Sequence, residues 1–212
     1  MLTIHHLNQS RSERIVWLAE ELGLDYTLVQ HQRDPQTYRA PASLWAVSPV
    51  GKAPAIEHDG QTLFESGAIV DYVMAHWSQG RLQPAAGTPE AVRYLQWMHS
   101  AESTLATPVV LLLMAQLTGD DNPRLRAFAE GDLRLLLGHV EQSLGPQGYM
   151  AGAEFTAVDI MVGYTLWMLD GSAVNFIPGH PAIVAEYPNI VAYLKRLRER
   201  PAYRRAAARL SP

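Results

Sequence analysis

Residues 50–67 read VGKAPAIEHDGQTLFESG, and this stretch determines the architecture that we predict for the first third of the chain. It contains the dipeptide Asp59-Gly60 between two apolar runs, which is a strong signal for a two-residue hairpin turn. The pattern on either side predicts strands over 55–58 and 62–65. Because a two-residue turn joins them, these strands are expected to be antiparallel.

The two ends of this stretch carry features that suit the binding of a small peptide. Pro54 stands where the first strand begins, which is typical of an edge strand or of a cis turn with free backbone groups. Glu65 and Ser66 precede a helical period over 66–77, and a serine at a helix start favours binding of a carboxylate. The structural alternatives are that Ser66 only caps the helix and that Pro54 is a trans proline ending a loop.

The flanking residues complete a mixed sheet. Residues 2–7 alternate like a strand, a helix follows from about residue 10 to the stop signal at Gly23, and residues 26–30 form a second strand. Two strands joined through a helix are expected to be parallel. The first third therefore predicts a mixed four-stranded sheet with helices on its faces.

The pattern changes near residue 80, after which every periodic segment is helical. We expect an α+β domain over 1–78, a linker over 79–87 and an all-α domain over 88–212. The helical periods of the second domain cover roughly 89–118, 123–144, 157–170 and 188–199, with a short end near 201–208. Pro108 is expected to bend the first of these helices.

Composition excludes several classes of function. The chain of 212 residues has a net charge of −4, which argues against nucleic acid as the main partner. It lacks an apolar run that would span a bilayer and has no cysteine, which fits a cytoplasmic protein and excludes a thiolate of its own. No metal is expected, because His5, His6 and His99 lack the spacing of metal ligands. Any thiol chemistry therefore needs sulfur from a ligand.

Four motifs in this order resemble those of the cytosolic glutathione transferases of the serine type, and the resemblance covers essentially the whole chain. The motifs are Ser10-x-Ser12-x-x-Arg14, Ser48-Pro49-x-Gly51-Lys52-Ala53-Pro54, Glu65-Ser66-Gly67-Ala68-Ile69 and Gly152-x-x-Phe155-Thr156-x-x-Asp159. The resemblance implies a thioredoxin-like N-terminal domain, a helical C-terminal domain and a homodimer. It also implies glutathione as co-substrate on the first domain, with a pocket for an electrophile at the domain junction.

The resemblance assigns glutathione-binding roles to five residues of the first domain. It implies that Glu65 and Ser66 hold the γ-glutamyl part, with the carboxylate at the helix start. Ala53, before a cis Pro54, pairs its backbone with the cysteinyl part as a short antiparallel ladder. Lys52 meets the glycyl carboxylate, although a solvated loop lysine is an equal alternative.

Ser10 is the residue expected to stabilise the thiolate of glutathione, and Ser12 is the alternate candidate. A hydroxyl that donates to sulfur and the positive end of the first helix would together lower the pKa of the thiol. The structural alternative is that Ser10 and Glu13 form a capping box. Tyrosine and cysteine, which contact the sulfur in other members of the family, are absent from this position.

The second domain carries the remaining predicted functional residues. The resemblance implies that Glu102, in the middle of a helix, reaches across the dimer interface to the neighbour's γ-glutamyl amine; the alternative is a solvated helix acid. Trp97, Met98, Tyr164 and Trp167 suggest an apolar pocket, although the last two are expected to be core residues first. Asp159 is expected to be structural, as the cap of Thr156.

The function expected from these residues is conjugation of glutathione to hydrophobic electrophiles, as in detoxification. Two alternatives stay open. One is a glutathione-dependent disulfide reductase or peroxidase on the same fold. The other is a non-catalytic member that binds glutathione without turning it over.

Overall fold

The computed structural model describes residues 1–119, 122–145, 148–170 and 181–210. Its contacts divide the chain into two compact units. The first comprises Met1–Arg81 together with the C-terminal residues from Glu199 onward, and the second comprises Leu82–Arg198. Among the described residues, none of the helices combines the length and the hydropathy that crossing a membrane requires.

The first unit contains the predicted mixed four-stranded sheet. Its strands are β1 (Leu2–Leu7), β2 (Tyr26–His31), β3 (Ala55–His58) and β4 (Gln61–Phe64). They lie in the order β2-β1-β3-β4. Strand β1 runs parallel to β2 and antiparallel to β3, and β3 pairs with β4 across the predicted turn. The bounds of β2 and β4 differ from the predicted ones by one residue.

The register of this sheet brings four strand ends to one edge. The last residue of β1, Leu7, is level with His31 at the end of β2. Ala55, the first residue of β3, pairs with His5 on one side and with Phe64, the last residue of β4, on the other. The loops that follow β1 and β4 and precede β3 therefore start at the same edge of the sheet.

Four helices complete the first unit: α1 (Glu13–Leu22), α2 (Ala42–Trp45), α3 (Ser66–Trp77) and α10 (Pro201–Leu210). Helix α1 ends at Gly23, whose φ of 68° is the left-handed conformation predicted for a C-terminal stop. Helix α3 spans the predicted residues and buries Ile69, Val70 and Val73. The core of this unit lies where α1 and α3 pack near the sheet.

Helix α10 packs against α1. The rings of Trp17 and Tyr203 meet edge to face, with centroids 5.0 Å apart. The guanidinium of Arg200 donates to both carboxylate oxygens of Glu21, at 2.6 and 2.8 Å. The predicted domain over 88–212 includes α10, because every segment after residue 88 has a helical period. The contacts group α10 with the first unit.

The second unit is helical as predicted. Its helices are α4 (Pro89–Ser100), α5 (Ala106–Thr118), α6 (Pro123–Leu144), α7 (Ala157–Asp170), α8 (Pro181–Val184) and α9 (Pro188–Glu199). Thr88 caps α4 by accepting from the N–H of Ala91 at 3.2 Å. Asn122 caps α6 by accepting from the N–H groups of Arg124 and Leu125.

The prediction of one bent helix over 89–118 is wrong. Turn residues 101–105 separate α4 from α5. Pro108 is the third residue of α5, and its lack of an N–H is tolerated there because N–H groups of the first turn have no partner within the helix. Glu102 consequently lies in the turn between the two helices and not in the middle of one.

Asp159 holds the start of α7 together, as predicted. Its fully buried carboxylate accepts from the N–H and the O–H of Thr156 with Oδ2, at 2.8 and 3.0 Å. The other oxygen, Oδ1, accepts from the N–H of Met150 at 2.8 Å and from the O–H of Tyr193 at 2.9 Å. The four bonds link α7, α9 and the segment before α7 into one core.

Candidate functional site

Ser10 lies between β1 and α1, at the sheet edge where the strand ends meet. Its side chain is buried, and its Oγ lies 2.7 Å from Oγ of Ser12 and accepts from the N–H of Ser12 at 3.3 Å. The predicted capping box of Ser10 with Glu13 is wrong. Helix α1 begins one residue after Ser12, without a side-chain cap, so Glu13 occupies the first turn and faces Tyr203 instead.

Ser12 is fully buried and joins Ser10 to a histidine of β1. Its Oγ accepts from the N–H of Leu7 at 3.2 Å and lies 2.9 Å from Nδ1 of His6. Burial, together with the nearby His31, lowers the pKa of His6 to about 4. At neutral pH His6 is therefore an uncharged imidazole in hydrogen-bond contact with Ser12.

Glu13 places a buried carboxyl in the first turn of α1. Burial raises its pKa to about 7, against the opposing effects of the Tyr203 hydrogen bond and the Arg14 charge. An ionised carboxylate at this place would repel an anion near the N-terminus of α1. Because a large fraction of Glu13 stays protonated up to neutral pH, this repulsion is reduced.

Arg33 anchors the loop that carries Ser10. Its backbone N–H donates to Oδ1 of Asn8 at 2.7 Å, and its guanidinium donates to the carbonyls of Asn8 and Gln9, each at 3.0 Å. Gln9 has a φ of 54°, a conformation that is uncommon for a residue other than glycine. Sequence reasoning missed this role of Arg33, because the partners are 24 or 25 positions apart and are joined only by the pairing of β1 with β2.

The loop before β3 carries Ala53, Pro54 and Lys52. The Ala53–Pro54 peptide bond is cis. Within the described residues, the backbone N–H and C=O of Ala53 make no hydrogen bond, and the ammonium of the exposed Lys52 contacts no carboxylate. The backbone of Lys52 is fixed by donation to Oγ of Ser48 at 3.2 Å. The loop turns at Gly51, where φ is 58° and the ring of Trp45 fills the space of a β-carbon.

Glu65 and Ser66 form the start of α3. Glu65 is the residue before the helix, its side chain is exposed, and its φ of 76° is a strained conformation for glutamate. Ser66 is the first helical residue and not the predicted cap. It is 2% exposed, yet its Oγ makes no hydrogen bond within the described residues. The first turn of α3 has no acidic residue, so its free N–H groups form a positive end, and the nearest acid in sequence is the exposed Glu65.

A second network, centred on the buried His5 and His31, crosses the other face of the sheet. Nε2 of His5 contacts Glu57 at 2.8 Å, and Nδ1 contacts Nε2 of His31 at 3.0 Å. Nδ1 of His31 in turn contacts Oγ of Ser43 at 2.9 Å. The network joins β3, β1, β2 and α2. The sequence did not reveal this network, because His5 was considered there only as a possible metal ligand. Among the described residues, no group of three or more metal-ligating side chains converges on one point.

The predicted residues of the second unit do not form an open pocket within that unit. Trp97, Met98, Tyr164 and Trp167 are all 5% exposed or less, so they are core residues. Glu102 is half-buried in the turn after α4. The core role predicted for the last two aromatic residues is confirmed, and no exposed surface on these four side chains supports a pocket wall.

Comparisons with known proteins agree with this fold. The profile of the family described as "Glutathione S-transferase, N-terminal domain" matches residues 3–75, and that of "Glutathione S-transferase, C-terminal domain" matches residues 125–196. "Glutathione S-transferase 3" of Schizosaccharomyces pombe is 28% identical over 223 residues, which cover 99% of this chain and 88% of that protein.

Two solved structures extend this agreement to three dimensions. A glutathione S-transferase of Actinobacillus pleuropneumoniae is 32% identical with a TM-score of 0.86, and the match covers 99% of this chain and 93% of that one. A theta class glutathione S-transferase of Xanthomonas axonopodis pv. citri, with glutathione bound, is 27% identical with a TM-score of 0.75, over 97% and 96% of the two chains. The chain belongs to the glutathione S-transferase family.

Proposed function

We propose that this glutathione transferase uses Ser10 to stabilise the thiolate of glutathione and transfers that thiolate to hydrophobic electrophiles. One observation carries the proposal. The segments that carry the buried hydroxyl of Ser10, the backbone of Ala53 and the N-terminus of α3 at Ser66 all start at the same edge of the sheet. These are the groups that a tripeptide with a thiol, a backbone and a terminal carboxylate requires.

The γ-glutamyl end of glutathione binds at the start of α3 in this proposal. Its carboxylate accepts from the Ser66 hydroxyl and from the free N–H groups of the first turn, where the helix dipole favours an anion. The exposed carboxylate of Glu65 meets the amine. The strained φ of Glu65 supports a functional reason for its position, because strain of this kind is retained where the site needs it.

The rest of the tripeptide lies along the loop before β3. The free N–H and C=O of Ala53, next to Pro54, pair with the cysteinyl backbone in the manner of an added strand. Lys52, which has no acidic partner among the described residues, meets the glycyl carboxylate as a point charge. Two charged ends held this way fix the position of the sulfur between them.

Ionisation of the thiol is the chemical task of the site. A free thiol has a pKa of ~8.5, so only about 3% is thiolate at pH 7. Lowering the pKa by ~2 units requires about 2.7 kcal/mol of preference for the anion. A hydrogen bond from a hydroxyl to an anion contributes about 1.5–3 kcal/mol, and the N-terminus of α1 adds to it. The hydroxyl and the helix together are therefore sufficient.

Burial and hydrogen bonding favour Ser10 over Ser12 for this role. Ser12 is 0% exposed, and its Oγ has three partners at 3.2 Å or less within the protein. Ser10 is 8% exposed and has Ser12 as its side-chain partner. The less enclosed hydroxyl of Ser10 is therefore the one that is able to form a hydrogen bond with a ligand.

The same proposal extends to assembly and location. We propose a homodimer, in which Glu102 reaches the γ-glutamyl amine of the neighbouring subunit. Val92 and Leu95 support an interface on α4, because they are 59% and 58% exposed in the single chain. We propose a cytoplasmic location and a role in detoxification, because the reaction consumes a reduced thiol and the cytosol keeps glutathione reduced.

Two measurements test the proposed function. Calorimetry with S-methylglutathione measures binding without thiol chemistry. If no heat of association is observed at millimolar S-methylglutathione, the proposed binding site is wrong. Initial rates with an aryl halide, a disulfide and a hydroperoxide then compare transferase with reductase and peroxidase. We expect conjugation to dominate; faster reduction of the disulfide or hydroperoxide would favour the redox alternative. Binding without turnover of any of the three would favour the non-catalytic one.

A further inference from the structure

His6, Ser12 and Ser10 form one continuous chain of hydrogen bonds inside the first unit. Nδ1 of His6 lies 2.9 Å from Oγ of Ser12, which lies 2.7 Å from Oγ of Ser10. All three side chains are buried, with exposures of 6%, 0% and 8%. The chain ends at the hydroxyl that we assign to the thiolate, so the placement of its hydrogen atoms decides whether that hydroxyl is able to donate.

The hydrogen-bonding capacity of Ser12 limits the possible arrangements. A serine hydroxyl has one hydrogen and two lone pairs. The N–H of Leu7 takes one lone pair, which leaves one hydrogen and one lone pair for Ser10 and His6. The carbonyl of Leu7, at 3.4 Å, is a longer and weaker alternative acceptor for the hydrogen. Ser12 must therefore donate to one of its two side-chain neighbours and accept from the other.

The tautomer of His6 selects between these two arrangements. If Nδ1 lacks a hydrogen, Ser12 donates to His6 and Ser10 must donate to Ser12, so Ser10 meets the sulfur with a lone pair only. If Nδ1 carries the hydrogen, His6 donates to Ser12 and Ser12 donates to Ser10. Ser10 then accepts twice from Ser12, from its O–H and its N–H, and its own hydrogen is free for the thiolate.

We propose that His6 is a positioning residue for the transfer reaction. As the neutral Nδ1–H tautomer, His6 donates to Ser12 and orients the Ser12 hydroxyl toward Ser10. The Ser10 hydroxyl is then free to donate to the thiolate. The inference rests on the proposed function of Ser10. It extends the site by a residue that does not touch the substrate.

A simple proton relay from the thiol to His6 is the competing explanation, and magnitudes disfavour it. Burial, and then His31, hold the pKa of His6 near 4, whereas the bound thiol is expected to titrate about 2 units below ~8.5. Transfer of the thiol proton to His6 would be unfavourable by a factor of roughly 300. His6 therefore stays neutral, the proton leaves for solvent, and the contribution of His6 is its tautomer.

Nitrogen NMR of the protein with ¹⁵N-labelled histidine tests the tautomer without any change to the site. The chemical shifts of the two ring nitrogens distinguish the protonated nitrogen from the bare one, and the His6→Asn protein, which lacks these signals, assigns them. We expect Nδ1–H and bare Nε2 in the glutathione complex at pH 7. The Nε2–H tautomer or a doubly protonated ring in that complex would overturn the inference.

Titration of the bound thiolate by its ultraviolet absorbance tests the consequence. We expect His6→Leu to raise the pKa of the bound thiol by about one unit, a tenfold loss in the ionisation constant, without changing affinity for S-methylglutathione. His6→Asn, whose amide is able to donate to Ser12, is expected to restore most of the loss. The matched control His5→Asn removes an equally buried histidine of β1 outside the serine chain and is expected to leave the pKa of the thiol unchanged.

The outcomes separate this inference from the function on which it rests. If Ser10→Ala raises the pKa of the bound thiol and a folded His6→Leu protein does not, the role of His6 is wrong and that of Ser10 stands. If neither substitution changes the pKa of the bound thiol, Ser10 does not stabilise the thiolate, and the role of His6 is wrong with it. If His6→Leu does not fold, the tautomer of His6 in the unmodified protein decides whether the inference about His6 stands.

Discussion

Ser66 lies almost fully buried at the first residue of α3, yet its hydroxyl has no hydrogen-bond partner within the described residues. The Ser66 oxygen is not among the enclosed side-chain atoms that lack a partner, so it keeps access from solvent, and a ligand at the start of α3 is able to supply its hydrogen bond. The neighbouring Glu65 has an exposed side chain and a strained backbone. Both residues are therefore available to bind a ligand.

Replacement of Ser66 by alanine tests this reasoning. A hydrogen bond to a charged group contributes about 1.5–3 kcal/mol, so Ser66→Ala is expected to raise the dissociation constant of glutathione roughly tenfold or more. Turnover of the saturated enzyme should change less. The matched control is Ser78→Ala, at the other end of α3, where the serine is also 2% exposed. An unchanged affinity in Ser66→Ala, or an equal loss in the control, would contradict the assignment.

Glu65 allows a test that separates stability from binding. Because its φ is 76°, Glu65→Gly removes backbone strain as well as the carboxylate, whereas Glu65→Ala removes the carboxylate alone. The glycine protein is expected to be more stable to urea than the alanine protein by about 1 kcal/mol, and both should bind glutathione more weakly than the parent. Parental affinity in both proteins would contradict the role of the carboxylate.

At the scale of elements, the packing of α10 on α1 places the carboxyl of Glu13 in the core beside Tyr203. Burial raises the pKa of Glu13 from 4.5 to about 7. The folded protein therefore keeps a proton that the unfolded chain releases between these two values. Stability from this group is complete below pH 4.5 and is lost as the pH rises through 7.

Glu13→Gln measures this linkage. Glutamine stays neutral, so the free energy of unfolding of the parent should fall relative to that of Glu13→Gln by about 3 kcal/mol between pH 4.5 and 8. Urea unfolding of both proteins at several pH values gives the difference directly. A difference that is constant with pH, or one that grows in favour of the parent at alkaline pH, would refute the burial effect.

Asp159 holds the helices of the second unit through four hydrogen bonds. Loss of its carboxylate leaves several buried donors without a partner, so Asp159→Ala should lower the free energy of unfolding by about 3 kcal/mol or more. Asp159→Asn, which keeps one acceptor oxygen, should lose less. The affinity of the folded fraction for glutathione should stay at the parental value, and a specific loss of affinity at full stability would place Asp159 in the site instead.

At the scale of the whole molecule, most of the fold could be predicted from the sequence. Local signals are enough for the strands and helices: the Asp59-Gly60 turn, the stop at Gly23 and the Thr88 cap each depend on neighbouring residues. The break at residues 101–105 carries no such signal, since Pro108 is compatible with either a bend or a first turn.

The candidate site could be predicted only in part. The residues that we propose to contact glutathione lie in short motifs, and the family resemblance is what points to them. Arg33 and the contact of His5 with His31 were missed, because their partners are set by strand register and not by local sequence. His6 was missed although its partner Ser12 is only 6 positions away. A useful signal was present nonetheless. Strand alternation buries His6, and a buried polar side chain implies a hydrogen-bond partner.

The chemistry that we propose for this cysteine-free protein is ionisation of the thiol of a bound tripeptide. Titration of thiolate absorbance for glutathione bound to the parent protein and to Ser10→Ala measures this ionisation. We expect the bound thiol in the parent to have a pKa about 2 units below ~8.5, with most of that shift lost in Ser10→Ala. A bound thiol that titrates in the parent as it does in free solution would rule out this role of the site.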